Sequence, residues 1–159
     1  MKIQNKSYIS LIIWILALIV IGSIIGSLTK PEISTWYSTL NRSTLTPPNY
    51  VFPIAWTILY GVIGACGWLI WRAPFFDNLK LIKLLYVVQL ILNWSWTPLF
   101  FHYHLTGFSL MILSFMDIIV GILMLLAHPK VKTVSLLMIP YLLWILFASY
   151  LNFYIWWYN

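Results

Sequence analysis

Polar residues are sparse along this chain and gather at a few points. They leave five long apolar stretches, at about 7–28, 51–71, 79–101, 105–127 and 133–157. A helix needs about 20 mostly apolar residues to cross the hydrocarbon of a bilayer, and each stretch is long enough. The pattern predicts an all-α fold, a five-transmembrane-helix bundle forming one membrane domain over residues 1–159. Three of the breaks are short: Ala73-Pro74, His102 to His104, and His128-Pro129. The connection over 29–50 is long and holds Pro31, Pro47 and Pro48 among several Ser and Thr, which reads as a loop. The first stretch follows Lys2 and Lys6 as a signal peptide would. Its apolar run is too long for one and no A-x-A-like site follows, so a retained helix is expected.

Composition removes the soluble alternative. Hydrophobic residues make up 62% of the chain and charged residues 8%, against about 25% charged in soluble domains. The net charge of +6 is distributed by side. With alternate connections sharing a side, Lys2, Lys6, Arg72, Lys80, Lys83, Lys130 and Lys132 fall together, and only Lys30 and Arg42 fall opposite. The positive-inside rule then puts the N-terminus in the cytoplasm of a bacterial cell and the 29–50 loop and C-terminus outside. The charge is topological, with no basic patch on soluble structure, so no nucleic acid is expected as partner. The single cysteine, Cys66, excludes an internal disulfide and reads as a packing residue.

The unusual feature is what the spans contain. Ten Trp and ten Tyr contribute to an aromatic share of 18%, more than interfacial belts easily absorb. In the third span Gln89, Asn93, Trp96 and Phe100 fall at i, i+4, i+7 and i+11, one helical stripe. Such a stripe is either amides hydrogen-bonding between helices or the wall of a ligand pocket. Trp56, Tyr60, Gly64 and Trp71 recur near one face of the second span, and Tyr141, Trp144, Ala148 and Asn152 near one face of the fifth. Gly22-x-x-x-Gly26 in the first span suits close helix packing, or a dimer surface. Asp117 is the acid expected within a span, and it lacks a basic partner there. His102 and His104, two residues apart, lie on different faces with no third ligand, and read as interfacial rather than metal-binding. No nucleophile–base pair, phosphate loop or Cys/His cluster is visible.

Several motifs together resemble the TspO/MBR family, the tryptophan-rich sensory proteins related to the mitochondrial translocator protein. They are Trp36-Tyr37-x-x-Leu40, Thr46-Pro47-Pro48, Val51-Phe52-Pro53, Trp56 and Leu59-Tyr60-Gly61. Further along stand Leu92-Asn93-Trp94-Ser95-Trp96-Thr97-Pro98 and Pro140-Tyr141-Leu142-x-Trp144-x-x-Phe147-Ala148, then Leu151-Asn152. The resemblance implies a five-helix bundle, often dimeric, with a pocket beneath the first loop. That pocket accepts porphyrins, haem-like tetrapyrroles and isoquinoline or benzodiazepine-type molecules. On matching positions its residues would be Tyr37, Pro47, Pro48, Trp56, Gln89, Asn93, Trp96, Phe100, Trp144, Phe147, Ala148 and Leu151. The chain departs from the family where a basic-Pro pair and an aromatic usually precede Pro-Pro, since Arg42-Ser43-Thr44-Leu45 stands there. The family's fourth-helix acid falls at Ile112, and the basic residue of the animal sterol motif is missing from the tail.

The resulting expectation is a multi-pass membrane protein that binds a porphyrin or haem as ligand, with no obligatory cofactor. Its 29–50 loop would act as a lid. The role would be sensory, regulatory or transport. Light-dependent porphyrin degradation using pocket Trp and Tyr, and a membrane regulatory partner without its own ligand, stand as alternatives. A homodimer is compatible, although the positions that pair relatives in the third helix are Leu84 and Val88 here.

Overall fold

The computed structural model describes the backbone of residues 2–159 and the side chains of residues 8–159. Lys2 and Lys6, counted in the charge asymmetry, have side chains outside the described residues. The described chain has helices and no strand. In order they are α1 (Lys2–Ser34), a 3-10 turn (Tyr37–Thr39), α2 (Val51–Arg72), α3 (Leu79–Phe101), α4 (Thr106–Ala127), α5 (Lys132–Leu137) and α6 (Ile139–Tyr158). Five spans are long and apolar enough to cross a membrane, the last being α5 and α6 together. The joint between those two is a kink at Met138, just before Pro140. Backbone bonding continues through it, from Met138 N–H to Val134 at 3.0 Å and from Leu142 N–H to Met138 at 2.9 Å.

α4 shows why the spans suit a bilayer. Ser109, Leu113, Met116, Val120, Leu123 and Ala127 form its buried stripe, at alternating steps of four and three. Met111, Phe115, Ile118, Ile122 and Leu125 form an exposed stripe on the other side. Both faces are apolar, which stands well in hydrocarbon and badly in water.

The first connection corrects the expectation of a loop from residue 29. α1 continues through Pro31 to Ser34, so only about 35–50 is non-helical apart from the 3-10 turn. Pro31 forfeits one backbone bond, but the end of α1 is held by other means. Ser34 and Thr35 hydroxyls donate to the Pro31 carbonyl at 3.0 and 3.2 Å. Ile33 and Trp36 pack on a small cluster formed by Tyr37, Phe100 and Ile155. Tertiary contact outweighs local propensity here.

The broadest packing is α1 on α2, α3 on α4, and α4 on α6. Cys66 is fully buried in the core shared by α2 to α6. Among the described residues, α1 places Leu18 in that buried core with Trp14 and Ile19 against it, and it is joined to α2 through glycine. A Cβ on Gly64 would stand 2.8 Å from the Ile15 Cα and 3.0 Å from the Trp14 carbonyl oxygen, both backbone atoms. Gly22 receives the Tyr60 ring, so it is used inside the protomer, while a Cβ on Gly26 would meet nothing within 4 Å. The two glycines of the G-x-x-x-G pair therefore do different things.

This contrast predicts two outcomes in thermal unfolding of the detergent-solubilised protein. Gly64→Val forces α1 off α2 and destabilises by about 1–3 kcal/mol. Gly26→Ala has room and leaves the transition unchanged or slightly raised, because Ala is the better helix former by about 1 kcal/mol.

Candidate functional site

The amides of the third-helix stripe sit deep in the bundle, where Gln89 is fully buried and Asn93 nearly so. Buried amides must find partners inside the protein. The Tyr60 hydroxyl (α2) donates to Asn93 Oδ1 at 2.6 Å. Asn93 Nδ2 donates to the Tyr141 oxygen (α6) at 3.1 Å. The Tyr141 hydroxyl donates in turn to Gln89 Oε1 at 2.7 Å. One chain of hydrogen bonds thus runs through α2, α3 and α6. Lower on α3, Trp96 Nε1 donates to Asn152 Oδ1 at 3.1 Å, and Asn152 Nδ2 donates to the Thr106 carbonyl at 2.7 Å. That second link fixes the end of α3 to α6 and to the start of α4.

Between these links and α1 lies a cavity of about 990 Å³, at the upper end of the roughly 300–1,000 Å³ typical of small-molecule sites. Its walls are chemically unequal. α1 supplies small and polar residues: Gly22, Ser23, Gly26, Ser27, Lys30 and Ser34. α2 and α3, with the turn after α1, supply rings: Phe52, Trp56, Tyr60, Trp96, Phe100 and Tyr37. Ala148, Leu151, Asn152 and Ile155 of α6 complete it. The rings hold one another in place. Trp56 and Tyr60 have centroids 5.6 Å apart, and Trp96 is stacked on Phe100 at 5.3 Å.

The residues singled out from sequence distribute over three places. Tyr37, Trp56, Trp96, Phe100, Ala148 and Leu151 line the cavity. Trp144 and Phe147 stand behind the ring wall: Trp144 meets Trp56 edge-on at 6.5 Å, and Phe147 meets Trp144 at 6.0 Å. Gln89 and Asn93 belong to the hydrogen-bond chain that holds Tyr60. Pro47 and Pro48 border a separate polar hollow in the 40–49 loop, and only Asn49 of that hollow also borders the cavity. The α1 wall was not anticipated. Its signal is present as the non-aliphatic stripe Gly22, Ser23, Gly26, Ser27 and Lys30, at i, i+1, i+4, i+5 and i+8.

The 40–49 loop is fastened to α6 and the C-terminal residue. Asn41 N–H donates to Asn159 Oδ1 at 2.8 Å, and Asn159 Nδ2 returns a bond to the Asn41 carbonyl at 3.2 Å. Ser43 and Tyr150 hydroxyls lie 2.8 Å apart. The Arg42 guanidinium sits 5.1 Å over the Tyr37 ring. Burial raises the Tyr37 phenol above its ordinary value and Arg42 lowers it in part, so Tyr37 is neutral at physiological pH and able to donate. Away from the cavity, Asp117 accepts from the Ser149 hydroxyl at 2.7 Å, joining α4 to α6. Among the described residues no group of three or more His, Cys, Asp or Glu is placed to hold a metal.

Fold and cavity define a multi-pass helical membrane protein with an aromatic-walled interior chamber. The family comparison makes this specific: the TspO/MBR family model matches residues 14–158. The tryptophan-rich protein TspO of Archaeoglobus fulgidus is 37% identical over 147 residues, covering 91% of this chain and 94% of the relative. The tryptophan-rich sensory protein of Cereibacter sphaeroides is 32% identical, covering 80% and 78%. The translocator protein of Bos taurus is 31% identical, covering 86% and 82%. The chain belongs to the TspO/MBR family.

The Asn93 node predicts a specific loss. Asn93→Ala leaves the Tyr60 and Tyr141 hydroxyls short of one partner each and lowers stability by about 1–2 kcal/mol. Asn93→Gln, which keeps the amide, loses less if the bonds re-form. Thermal unfolding in detergent compares the two directly.

Proposed function

We propose that the cavity binds a flat, largely apolar ligand with an acidic edge, best met by a tetrapyrrole such as a porphyrin or haem. The observation that carries this reading is the pairing of a ring wall with a small-residue wall across one chamber of about 990 Å³. A planar π system stacks on Trp and Tyr rings, each such contact contributing about 0.5–1.5 kcal/mol beyond area burial. The glycine side of α1 leaves room for its thickness. Lys30, which lines the chamber near the end of α1, suits a propionate. Arg42 is engaged with Tyr37 and is the poorer choice. Isoquinoline or benzodiazepine-type molecules share the flat aromatic chemistry and fit the same reading. Trp144 Nε1 and Gln89 Nε2 are buried donors without an acceptor among the described residues, so they offer polar contacts to a ligand that reaches past the ring wall.

On this reading ligand occupancy serves a sensory, regulatory or transport role, in keeping with the names of the translocator and sensory relatives. The charge asymmetry supports an N-terminus in the cytoplasm, with the 35–50 loop and the end of the cavity bordered by Asn49 and Tyr50 on the outer side. A second copy of the chain, if one pairs, would meet the exposed Leu84 side of α3 rather than Gly22, which the Tyr60 ring fills.

Titration of the purified protein with a porphyrin dicarboxylate, followed by its absorption band, tests the proposal. Ala148→Trp fills the chamber and weakens binding at least about tenfold, as does Trp96→Ala. Lys30→Gln weakens the dicarboxylate only modestly, about two- to fivefold, and leaves the diester unaffected, since a partly exposed pair is worth little. Trp71→Phe, in the separate Trp14–Trp71–Tyr86 cluster, leaves affinity unchanged. Wild-type affinity in both Ala148→Trp and Trp96→Ala would sink the assignment. Illumination of the complex with analysis of the pigment distinguishes binding from degradation.

A further inference from the structure

We propose that His104, Glu32 and Trp36 form a proton-sensitive clasp that holds the end of α1 against the α3–α4 corner and so steadies the rings at that end of the cavity. Three separate features meet at His104. Its φ of 55° makes it the non-glycine residue in the left-handed region among those described, a conformation uncommon outside glycine and more accessible to His, Asn and Asp. Its imidazole is stacked on the Trp36 indole, with centroids 4.0 Å apart and planes 16° from parallel. Its Nε2 stands 3.4 Å from Glu32 Oε2. The turn conformation, the stack and the charge pair all act between one short corner and the last turns of α1.

The clasp reaches the cavity through rings. Trp36 packs edge-on to Phe100 at 5.5 Å, and Phe100 meets Tyr37 at 6.3 Å. Phe100 and Tyr37 both line the chamber. Freeing Trp36 from His104 therefore loosens the two rings that close the wall next to α1. The imidazole and carboxylate side chains are 41% and 30% exposed, so solvent protons reach them. A protonated imidazole gains attraction to the carboxylate and to the indole face. A neutral one keeps only the stack and a weaker polar contact. The clasp is thus tighter with a protonated imidazole than with a neutral one.

The other ionisable groups nearby are otherwise engaged. On α1, Lys30 lines the chamber. On the loop, Arg42 sits over Tyr37. On the corner itself, His102 and Tyr103 pack on each other at 4.9 Å. Glu32 is the charged group set against the His104 ring.

The experiment is hydrogen exchange by mass spectrometry on the full chain in lipid nanodiscs, at about pH 5 and about pH 8, with rates corrected for intrinsic pH dependence. Peptides covering 29–40 and 99–106 are expected to exchange about two- to fivefold more slowly at the lower pH. Peptides covering 65–72, at the opposite end of the bundle, are expected to show no difference. His104→Asn keeps the tolerance for a left-handed backbone and removes the titrating ring. Glu32→Gln keeps size and removes the charge. Both variants are expected to lose the pH difference. Equal protection of the wild type at the two pH values, or a difference retained in His104→Asn, overturns the proposal. No ligand enters the measurement, so its outcome is separate from that of the tetrapyrrole reading.

Discussion

An amide surrounded by hydrocarbon must satisfy itself from within the protein, and the side chain of Asn93 does so by joining two other helices. Its oxygen takes the Tyr60 hydroxyl and its nitrogen serves Tyr141. Much of the site follows from that constraint. Tyr60 is held by its hydroxyl at one end and pressed into the Gly22 notch at its ring, so it can neither swing into the chamber nor leave the wall. Trp56 packs on Tyr60, and Trp144 packs on Trp56. The cavity wall is braced on this side because a polar requirement in the bundle centre is propagated outward through rings.

The lower link, Trp96 to Asn152 to the Thr106 carbonyl, repeats the device nearer the membrane surface. There it also occupies a backbone carbonyl of the first turn of α4 next to the close Gly107–Trp156 approach. The two links leave an aromatic-rich bundle ordered rather than merely greasy. Apolar packing alone discriminates poorly among helix arrangements in a bilayer, since lipid tails are as apolar as leucine. A few amides placed among many rings select one arrangement.

The spans were legible because bilayer thickness dictates their length, and boundaries differ from the expectation by only a few residues at most ends. The exception, α1 continuing through Pro31, depends on contacts with Phe100 and Ile155 that local proline rules do not contain. The 89–93–96–100 stripe was legible as one face, because helical period fixes it. Its division was not: the upper two residues enter a hydrogen-bond chain and the lower two face the chamber, according to where Tyr60 and Tyr141 arrive from other helices. The positions of Pro47 and Pro48 were hidden for a similar reason. Their loop is drawn to the chain's far end by Asn41 and Asn159, 118 residues apart. Gly22 and Gly26 look alike in sequence and differ only in what lies opposite them.

The unequal attachment of α1 has a mechanical meaning. Four spans share the buried core, and α1 adds little more than Leu18 to it while providing one whole side of the chamber. The chamber therefore has one wall set in the core and one wall seated on α2 through the close contacts at Gly64 and Gly22. The Gly22 contact is made to the Tyr60 ring, so the seat of that single helix is tied to the Asn93 bonds. The width of the chamber is thus set by how closely one helix seats on its neighbour, and two glycines fix that distance.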